Sequence, residues 1–130
     1  MRHLNSFLTF FLLILITILY TSCSYDQHLP EEEPVVTDTV FFADDILPIF
    51  NASCNTAGCH STGNVVPDLT PGNAYNSLIS GGYIDVDTPD NSELLQWMRG
   101  NRDLSMPLDG PDPEYNSLVL AWITQGAKNN

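Results

Sequence analysis

Residues 45–60 read DILPIFNASCNTAGCH, and this stretch decides how the rest of the chain is interpreted. It carries two cysteines, Cys54 and Cys59, with His60 directly after the second. Thiols and imidazoles bind metals or form covalent bonds, and the four residues between the two thiols are small and turn-prone. The apolar residues before Cys54 suit a short helix if Pro48 lies in its first turn. The stretch therefore predicts a helix that ends at one thiol, followed by a loop with the second thiol and the imidazole.

The N-terminal segment predicts export from the cytoplasm. Residues 7–19 are apolar apart from two Thr, follow the basic Arg2, and fall short of the ~20 residues that a spanning helix needs. Small residues then lead into Cys23, which resembles the lipobox of bacterial lipoproteins, although Tyr20 stands where that pattern has an aliphatic residue. The resemblance implies that residues 1–22 are a lipoprotein signal peptide and that Cys23 carries the lipid. A secretory signal without lipid and an uncleaved anchor are the alternatives.

The region after Cys23 predicts a spacer followed by one domain. Residues 24–40 lack helical or strand periodicity and contain two Pro and three consecutive Glu. Such a segment favours an extended, solvated chain. We therefore expect residues 23–40 to be the lipidated Cys with a flexible acidic tether, and residues 41–130 to form a single small domain.

Composition excludes one class of partner and favours another. The 130 residues include 4 Lys plus Arg against 16 Asp plus Glu, which gives a formal net charge of −12. Because four basic residues cannot neutralise a run of phosphates, nucleic acid is excluded as a partner. A protein partner is expected to present a basic docking surface.

Three interpretations of the Cys54–His60 motif are open from the residues alone. Export to an oxidising compartment favours a disulfide between the two cysteines, but leaves the adjacent His unexplained. A zinc site needs further ligands, whereas the other histidines are His3 in the signal peptide and His28 in the tether. Covalent haem needs two thiols for the porphyrin and a His that binds the iron. The usual haem signature is Cys-x-x-Cys-His, and the spacing here is two residues longer.

From residue 41 to about residue 127 the sequence resembles a small bacterial class I c-type cytochrome. The run DILPIFNASC matches the family's N-terminal helix, and Ser105-Met106-Pro107 matches the Met-Pro pair that supplies its second iron ligand. Asp112-Pro113 opens a final helix, which in the family crosses the N-terminal one. Residues on one face of that final helix are Tyr115, Leu118, Val119, Trp122, Ile123 and Gly126, with Trp122 expected at the crossing.

The resemblance implies a mainly α fold, a class I cytochrome c-like bundle of about four short helices around one covalently attached haem c. It also implies that Cys54 and Cys59 hold the haem, that His60 is the proximal axial ligand of the iron, and that Met106 is the distal one. In the family a carbonyl near a Pro often accepts the hydrogen bond of the haem-binding His. Pro67 is the candidate for that role here, with shaping of a turn as its alternative.

Met98 competes with Met106 for the distal position. The sequence predicts a helix over Ser92–Gly100, capped by Asp90 or Asn91, in which Met98 shares a face with two leucines and fills the core. Met106 instead precedes Pro107, which lacks an amide hydrogen and keeps the segment out of a helix. We therefore expect Met106 to bind the iron; Met98 and an open or otherwise ligated site are the alternatives.

Two filled axial positions leave no place for oxygen or peroxide, so the resemblance implies single-electron transfer rather than enzyme activity, and no small-molecule substrate. We expect a redox protein with a basic docking surface as partner, and anchoring to a lipid bilayer through Cys23. The expected location is the bacterial cell envelope, facing the periplasm or the outer-membrane surface. A role as accessory to a larger dehydrogenase or oxidase is compatible with this. The alternatives are a haemless, disulfide-stapled interaction module and a haem enzyme or sensor with an open distal site.

Overall fold

The structure is a computed structural model that describes residues 32–130. The predicted signal peptide, Cys23 and residues 24–31 of the predicted tether lie outside the described residues. Residues 32–130 contain four α-helices and no β-strand: α1 Leu47–Ser53, α2 Ala74–Ser80, α3 Glu93–Met98 and α4 Pro113–Thr124. A π-helical turn, Phe42–Ile46, leads into α1, and a 3₁₀ turn, Pro89–Asn91, precedes α3. The structure thus confirms a small, mainly helical domain. Within residues 32–130, none of the helices has the length and apolar character needed to cross a bilayer.

The π-helical turn and α1 form one N-terminal helical segment that ends next to the motif. The Asp45 carboxylate accepts a hydrogen bond from the Phe41 amide at 2.7 Å, which satisfies one of the free amides at the start of the segment. Pro48 lies in the first turn of α1, as the sequence predicts, where its missing amide hydrogen costs nothing. Cys54 follows the last residue of α1 directly. The apolar run therefore brings the first thiol to the end of a helix.

The N- and C-terminal helical segments meet through aromatic rings. The ring centroids of Phe42 and Trp122 are 5.2 Å apart, and the Tyr75 ring of α2 lies 5.3 Å from that of Phe42. The buried indole of Trp122 donates its hydrogen bond to the Lys128 carbonyl at 2.8 Å, so its polar atom is satisfied. This contact confirms the expected position of Trp122 at the crossing.

The start of α4 follows from two adjacent residues. Asp112 Oδ1 accepts hydrogen bonds from the amides of Glu114 and Tyr115 at 2.9 and 3.0 Å, and Pro113 is the first helical residue. A carboxylate at the cap and a proline in the first turn are the strongest local signals for a helix start. The predicted beginning of this helix is confirmed.

The predicted cap of α3 is wrong. Asp90 and Asn91 form the 3₁₀ turn, and the capping residue is Ser92, which makes no side-chain hydrogen bond to the first turn of the helix. The buried Ser92 hydroxyl instead accepts from the Asp85 amide at 2.9 Å. The helix is also shorter than predicted, Glu93–Met98, since Gly100 has a φ of +71° that helical residues do not adopt. Met98 is 3% exposed, which confirms it as a core residue.

Residues 33–40, here called the strap, have no regular secondary structure and lie against the domain. Arg99 donates to both carboxylate oxygens of Glu33, at 2.6 and 2.5 Å. At the other end, the Gln125 side chain accepts from the Val40 amide and donates to the Asp38 carbonyl, each at 2.9 Å. A groove of about 310 Å³ separates part of the strap from α4. The flexible tether predicted for residues 23–40 thus includes the strap, which these hydrogen bonds hold against the domain; for residues 23–31 the tether stays a prediction.

Candidate functional site

The segment from Cys54 to His60 is closed by its own backbone. The Cys59 amide donates to the Thr56 carbonyl at 2.9 Å, and the His60 amide donates to the Cys54 carbonyl at 3.1 Å. Gly58 between them has a φ of +84°, a conformation that residues with a side chain rarely adopt. Since backbone hydrogen bonds close the loop, the two thiols and the imidazole are carried by one compact turn.

A polar side chain in that turn joins it to the next segment. Asn55 Nδ2 donates to Asn51 Oδ1 in α1 at 2.7 Å and to the Leu69 carbonyl at 3.2 Å. The Leu69 amide in turn donates to the His60 carbonyl at 2.8 Å. These bonds fix the loop after His60 against the loop that carries the thiols. Sequence analysis missed Asn55; the only signal for it was an amide side chain inside the motif.

His60 is oriented by a single hydrogen bond. Its Nδ1 donates to the carbonyl of the buried Pro67 at 3.0 Å. Because a carbonyl oxygen only accepts, Nδ1 must carry the proton, and in the neutral ring Nε2 then keeps its lone pair. Among residues 32–130, no hydrogen bond engages Nε2. Metal-binding histidines show this arrangement, in which a carbonyl fixes the ring and the other nitrogen is the ligand. The family resemblance implied a hydrogen bond from the imidazole to a carbonyl near Pro67, and this hydrogen bond is present.

Burial changes the acidity of one thiol. Burial, with a smaller contribution from the charge of Cys59, raises the pKa of Cys54 from 9.0 to about 11. A thiol with that pKa is protonated at neutral pH. The two sulfurs are not bonded to each other in the structure.

The zinc interpretation gains no support from the described part of the chain. Between residues 32 and 130, no group of three His, Cys, Asp or Glu side chains converges so that it could hold a metal ion. A tetrahedral zinc site needs at least three protein ligands of this kind. Covalent haem needs only one protein nitrogen and a thioether for the metal, because the porphyrin supplies the rest.

Met106 lies in residues 101–111, here called the methionine loop, which joins α3 to α4. Its side chain is half-buried, and its amide donates to the Trp97 carbonyl at the end of α3 at 3.2 Å. Arg102 holds the start of the loop, since it donates to both carboxylate oxygens of Glu93 at 3.0 and 2.5 Å. The loop is therefore anchored to α3, while Met106 does not belong to the hydrophobic core of residues 32–130.

Within residues 32–130, the methionine loop has no hydrogen bond to residues 61–69, which follow His60 and are here called the His60 loop. Both loops instead expose large apolar side chains: Val66 is 74% exposed and Leu108 is 67% exposed. Val65 and Leu104, also more than half exposed, lie beside them in the sequence. Exposed apolar residues next to proposed ligand residues are expected where an apolar body binds. These exposed apolar side chains, Nε2 of His60 and the thiols of Cys54 and Cys59 are together compatible with a covalently attached haem.

Comparison of this chain with protein-family models, with curated proteins and with solved structures found no significant match. The assignment of the site therefore depends on the motif and on the geometry around it.

Proposed function

We propose that this protein is a monohaem c-type cytochrome that carries single electrons in the bacterial cell envelope, anchored to a membrane through Cys23. The observation that carries the proposal is the hydrogen bond from His60 Nδ1 to the Pro67 carbonyl. A disulfide-stapled module has no need of an oriented imidazole beside the second cysteine. A metal ligand needs that orientation, because only a fixed tautomer presents Nε2 to the metal.

In this proposal four side chains hold the haem and bind its iron. Cys54 and Cys59 form the thioether bonds to the porphyrin, and His60 binds the iron on one side through Nε2. Met106 binds on the other side through its sulfur. Haem with imidazole and thioether ligands favours its reduced state and exchanges one electron at a high potential. No group in the site needs to gain or lose a proton for that exchange, which suits a carrier.

The protein's own residues set the conditions for electron exchange. The buried Pro67 region and the bonds of Asn55 hold the imidazole in place. Met106, which is half-buried, would keep water from the second side of the metal once its sulfur binds the iron. With both axial positions filled by protein, neither oxygen nor peroxide gains access to the iron, and the proposed protein is a carrier rather than an enzyme.

The acidic surface supports a basic partner. Both arginines of the described residues are engaged in ion pairs, Arg99 with Glu33 and Asp90, and Arg102 with Glu93. Within residues 32–130, eleven other Asp and Glu residues remain, against Lys128 as the one further basic residue. A redox protein with a cationic patch is the complementary partner, and long-range attraction would speed their encounter.

Spectra of the matured protein test the proposal. The full chain is expressed in a bacterial host that has haem-attachment machinery, alongside Met106→Ala and the control Met98→Leu. We expect wild type and Met98→Leu to show a low-spin spectrum, and Met106→Ala to lose it. A high-spin wild-type spectrum would establish an open distal site, and no haem absorption at all would leave the disulfide-stapled module.

A further inference from the structure

Arg99 connects three separate parts of the domain. It follows α3 directly, and its guanidinium donates to Glu33 of the strap and, through Nη1 at 3.0 Å, to Asp90 of the 3₁₀ turn. The Arg99 and Glu33 side chains are 19% and 25% exposed, so the pair is mostly shielded from water. Two parallel bonds in the plane of the guanidinium make this the geometry that only arginine provides.

The end of α3 that Arg99 secures also holds Met106. The Trp97 carbonyl, two residues before Arg99, accepts the hydrogen bond of the Met106 amide. A movement of this helix end therefore carries the methionine loop with it. Since Met106 has no hydrogen bond to the His60 loop within residues 32–130, the end of α3 is its backbone support.

The strap and the methionine loop connect the same two helices. The methionine loop runs from the end of α3 to the start of α4. The first residue of the strap, Glu33, binds Arg99 at the end of α3, and its last residue, Val40, binds Gln125 at the end of α4. Two connections restrict the motion of α3 against α4 more than one does. Loss of the Glu33 contact removes the second connection at α3.

We propose that Glu33 is a positioning residue for Met106, because it fixes the helix end from which the methionine loop is held. The inference rests on the proposed function, since it requires Met106 to bind the haem iron. It goes beyond that function because the strap lies outside the haem site. The strap contact would determine how strongly the sulfur binds the iron. In the proposal, Glu33→Gln raises the fraction of time for which the sulfur is detached from ferric iron.

Competition by imidazole measures that fraction in the full-length holoprotein. An added ligand binds the iron only when the sulfur is detached, so its apparent affinity rises in proportion to the detached fraction. We expect Glu33→Gln to bind imidazole about fivefold more tightly than wild type, the change that corresponds to a partly exposed ion pair. We also expect its ferric charge-transfer band from sulfur to iron to weaken.

Glu32→Gln is the matched control, because the neighbouring Glu32 is exposed, carries the same charge and makes no hydrogen bond within residues 32–130. We expect it to bind imidazole as wild type does. In the Met106→Ala background, Glu33→Gln should have no further effect, since no sulfur is left to position. Equal imidazole affinity for Glu33→Gln and Glu32→Gln would overturn the inference, and so would an undiminished effect in the Met106→Ala background.

The test separates this inference from the proposed function. A colourless protein would refute both. A low-spin spectrum that persists in Met106→Ala would refute the inference together with the distal ligand, but would leave covalent haem attachment in place. A lost low-spin spectrum in Met106→Ala, with no effect of Glu33→Gln, would refute the inference alone.

Discussion

At the scale of single residues, hydrogen bonds to carboxylates and carbonyls determine which loops are rigid. Pro67 contributes a backbone carbonyl rather than its ring to the His60 contact, and the bond removes the rotational freedom of the imidazole. Asp68, the next residue, accepts from both the amide and the hydroxyl of Thr70, at 3.0 and 2.6 Å. The segment that orients the imidazole is therefore itself held by a charged acceptor.

The Asp68 carboxylate gives the domain a specific acid sensitivity. Hydrogen bonds from the Thr70 side chain, then from the Thr70 amide, lower the pKa of Asp68 from 3.8 to about 2. A carboxyl with a lowered native pKa stabilises the fold fully above its unfolded pKa, and this contribution is lost as the pH falls towards the native value.

We therefore expect Asp68→Asn to be less stable than wild type near neutral pH, with a difference that shrinks between about pH 4 and pH 2. Urea unfolding of both proteins across that pH range gives the measurement. Asp109→Asn, at an exposed carboxylate outside this network, is the control. A difference that stays constant with pH would show that Asp68 has no such role.

Ser105, next to the proposed distal ligand, has a buried hydroxyl that makes no hydrogen bond to any of residues 32–130. A buried hydroxyl without a partner loses its hydrogen bonds to water on folding and gains none in return. Its removal therefore changes the free energy of unfolding little. We expect Ser105→Ala to unfold within about 1 kcal/mol of wild type, or to be slightly more stable. A loss of more than 2 kcal/mol in a urea titration would mean that the hydroxyl has a partner in the holoprotein.

At the scale of secondary-structure elements, the Asp112 cap offers a quantitative test. Removal of a cap that accepts two amide hydrogen bonds costs about 1 kcal/mol, within a range of roughly 0.5–2. We expect Asp112→Ala to lose that amount in chemical denaturation. Asp109→Ala removes the same charge from an exposed position three residues earlier and should change stability by less than about 0.5 kcal/mol. Equal effects of the two substitutions would assign the loss to charge instead of capping.

The crossing of the terminal helices depends on Phe42 rather than on its neighbour. Phe42 is 2% exposed and contacts the rings of Tyr75 and Trp122, whereas Phe41 is 43% exposed. We expect Phe42→Ala to cost about 3–5 kcal/mol, and Phe41→Ala to cost less than about 1 kcal/mol. Thermal unfolding of the two holoproteins compares them directly, and similar losses would contradict the packing described for the terminal helices.

Local signals explain which elements could be predicted. Asp112-Pro113 marks the start of α4 correctly, because a cap and a proline act within a few residues. The cap predicted for α3 was wrong, since Asp90 and Asn91 belong to the preceding 3₁₀ turn and the Ser92 hydroxyl bonds to Asp85, seven residues away. The hydrogen bond between His60 and the Pro67 carbonyl was expected only through the family resemblance.

The strap shows why long-range contacts could not be predicted. Its proline, Pro34, and its acidic residues are typical of a solvated spacer, and Glu33 has no local partner. Arg99 lies 66 residues further along the chain, so no spacing rule connects the two. The methionine loop was recognised from the Met-Pro pair, but its attachment to the Trp97 carbonyl depends on where α3 ends, which sequence analysis placed too late.

At the scale of the whole molecule, charge is expected to govern encounter with the partner. Because the two arginines of residues 32–130 are held in ion pairs, the excess of carboxylates acts on a cationic protein over about one Debye length, roughly 8 Å at physiological salt. We expect the rate of electron transfer to a basic redox partner to fall as ionic strength rises. Stopped-flow mixing measures it, with a neutral small-molecule reductant as control. A partner rate that does not change with salt would contradict this steering.

The central claim is that one haem is bound through thioethers at Cys54 and Cys59. Protein matured with haem-attachment machinery is unfolded, extracted with acidified organic solvent and analysed by intact-mass spectrometry, beside the double variant Cys54→Ala/Cys59→Ala. We expect wild type to keep the mass and the absorption of one haem through extraction, and the double variant to lose both. A colourless wild type, or a pigment that passes into the solvent, would contradict it.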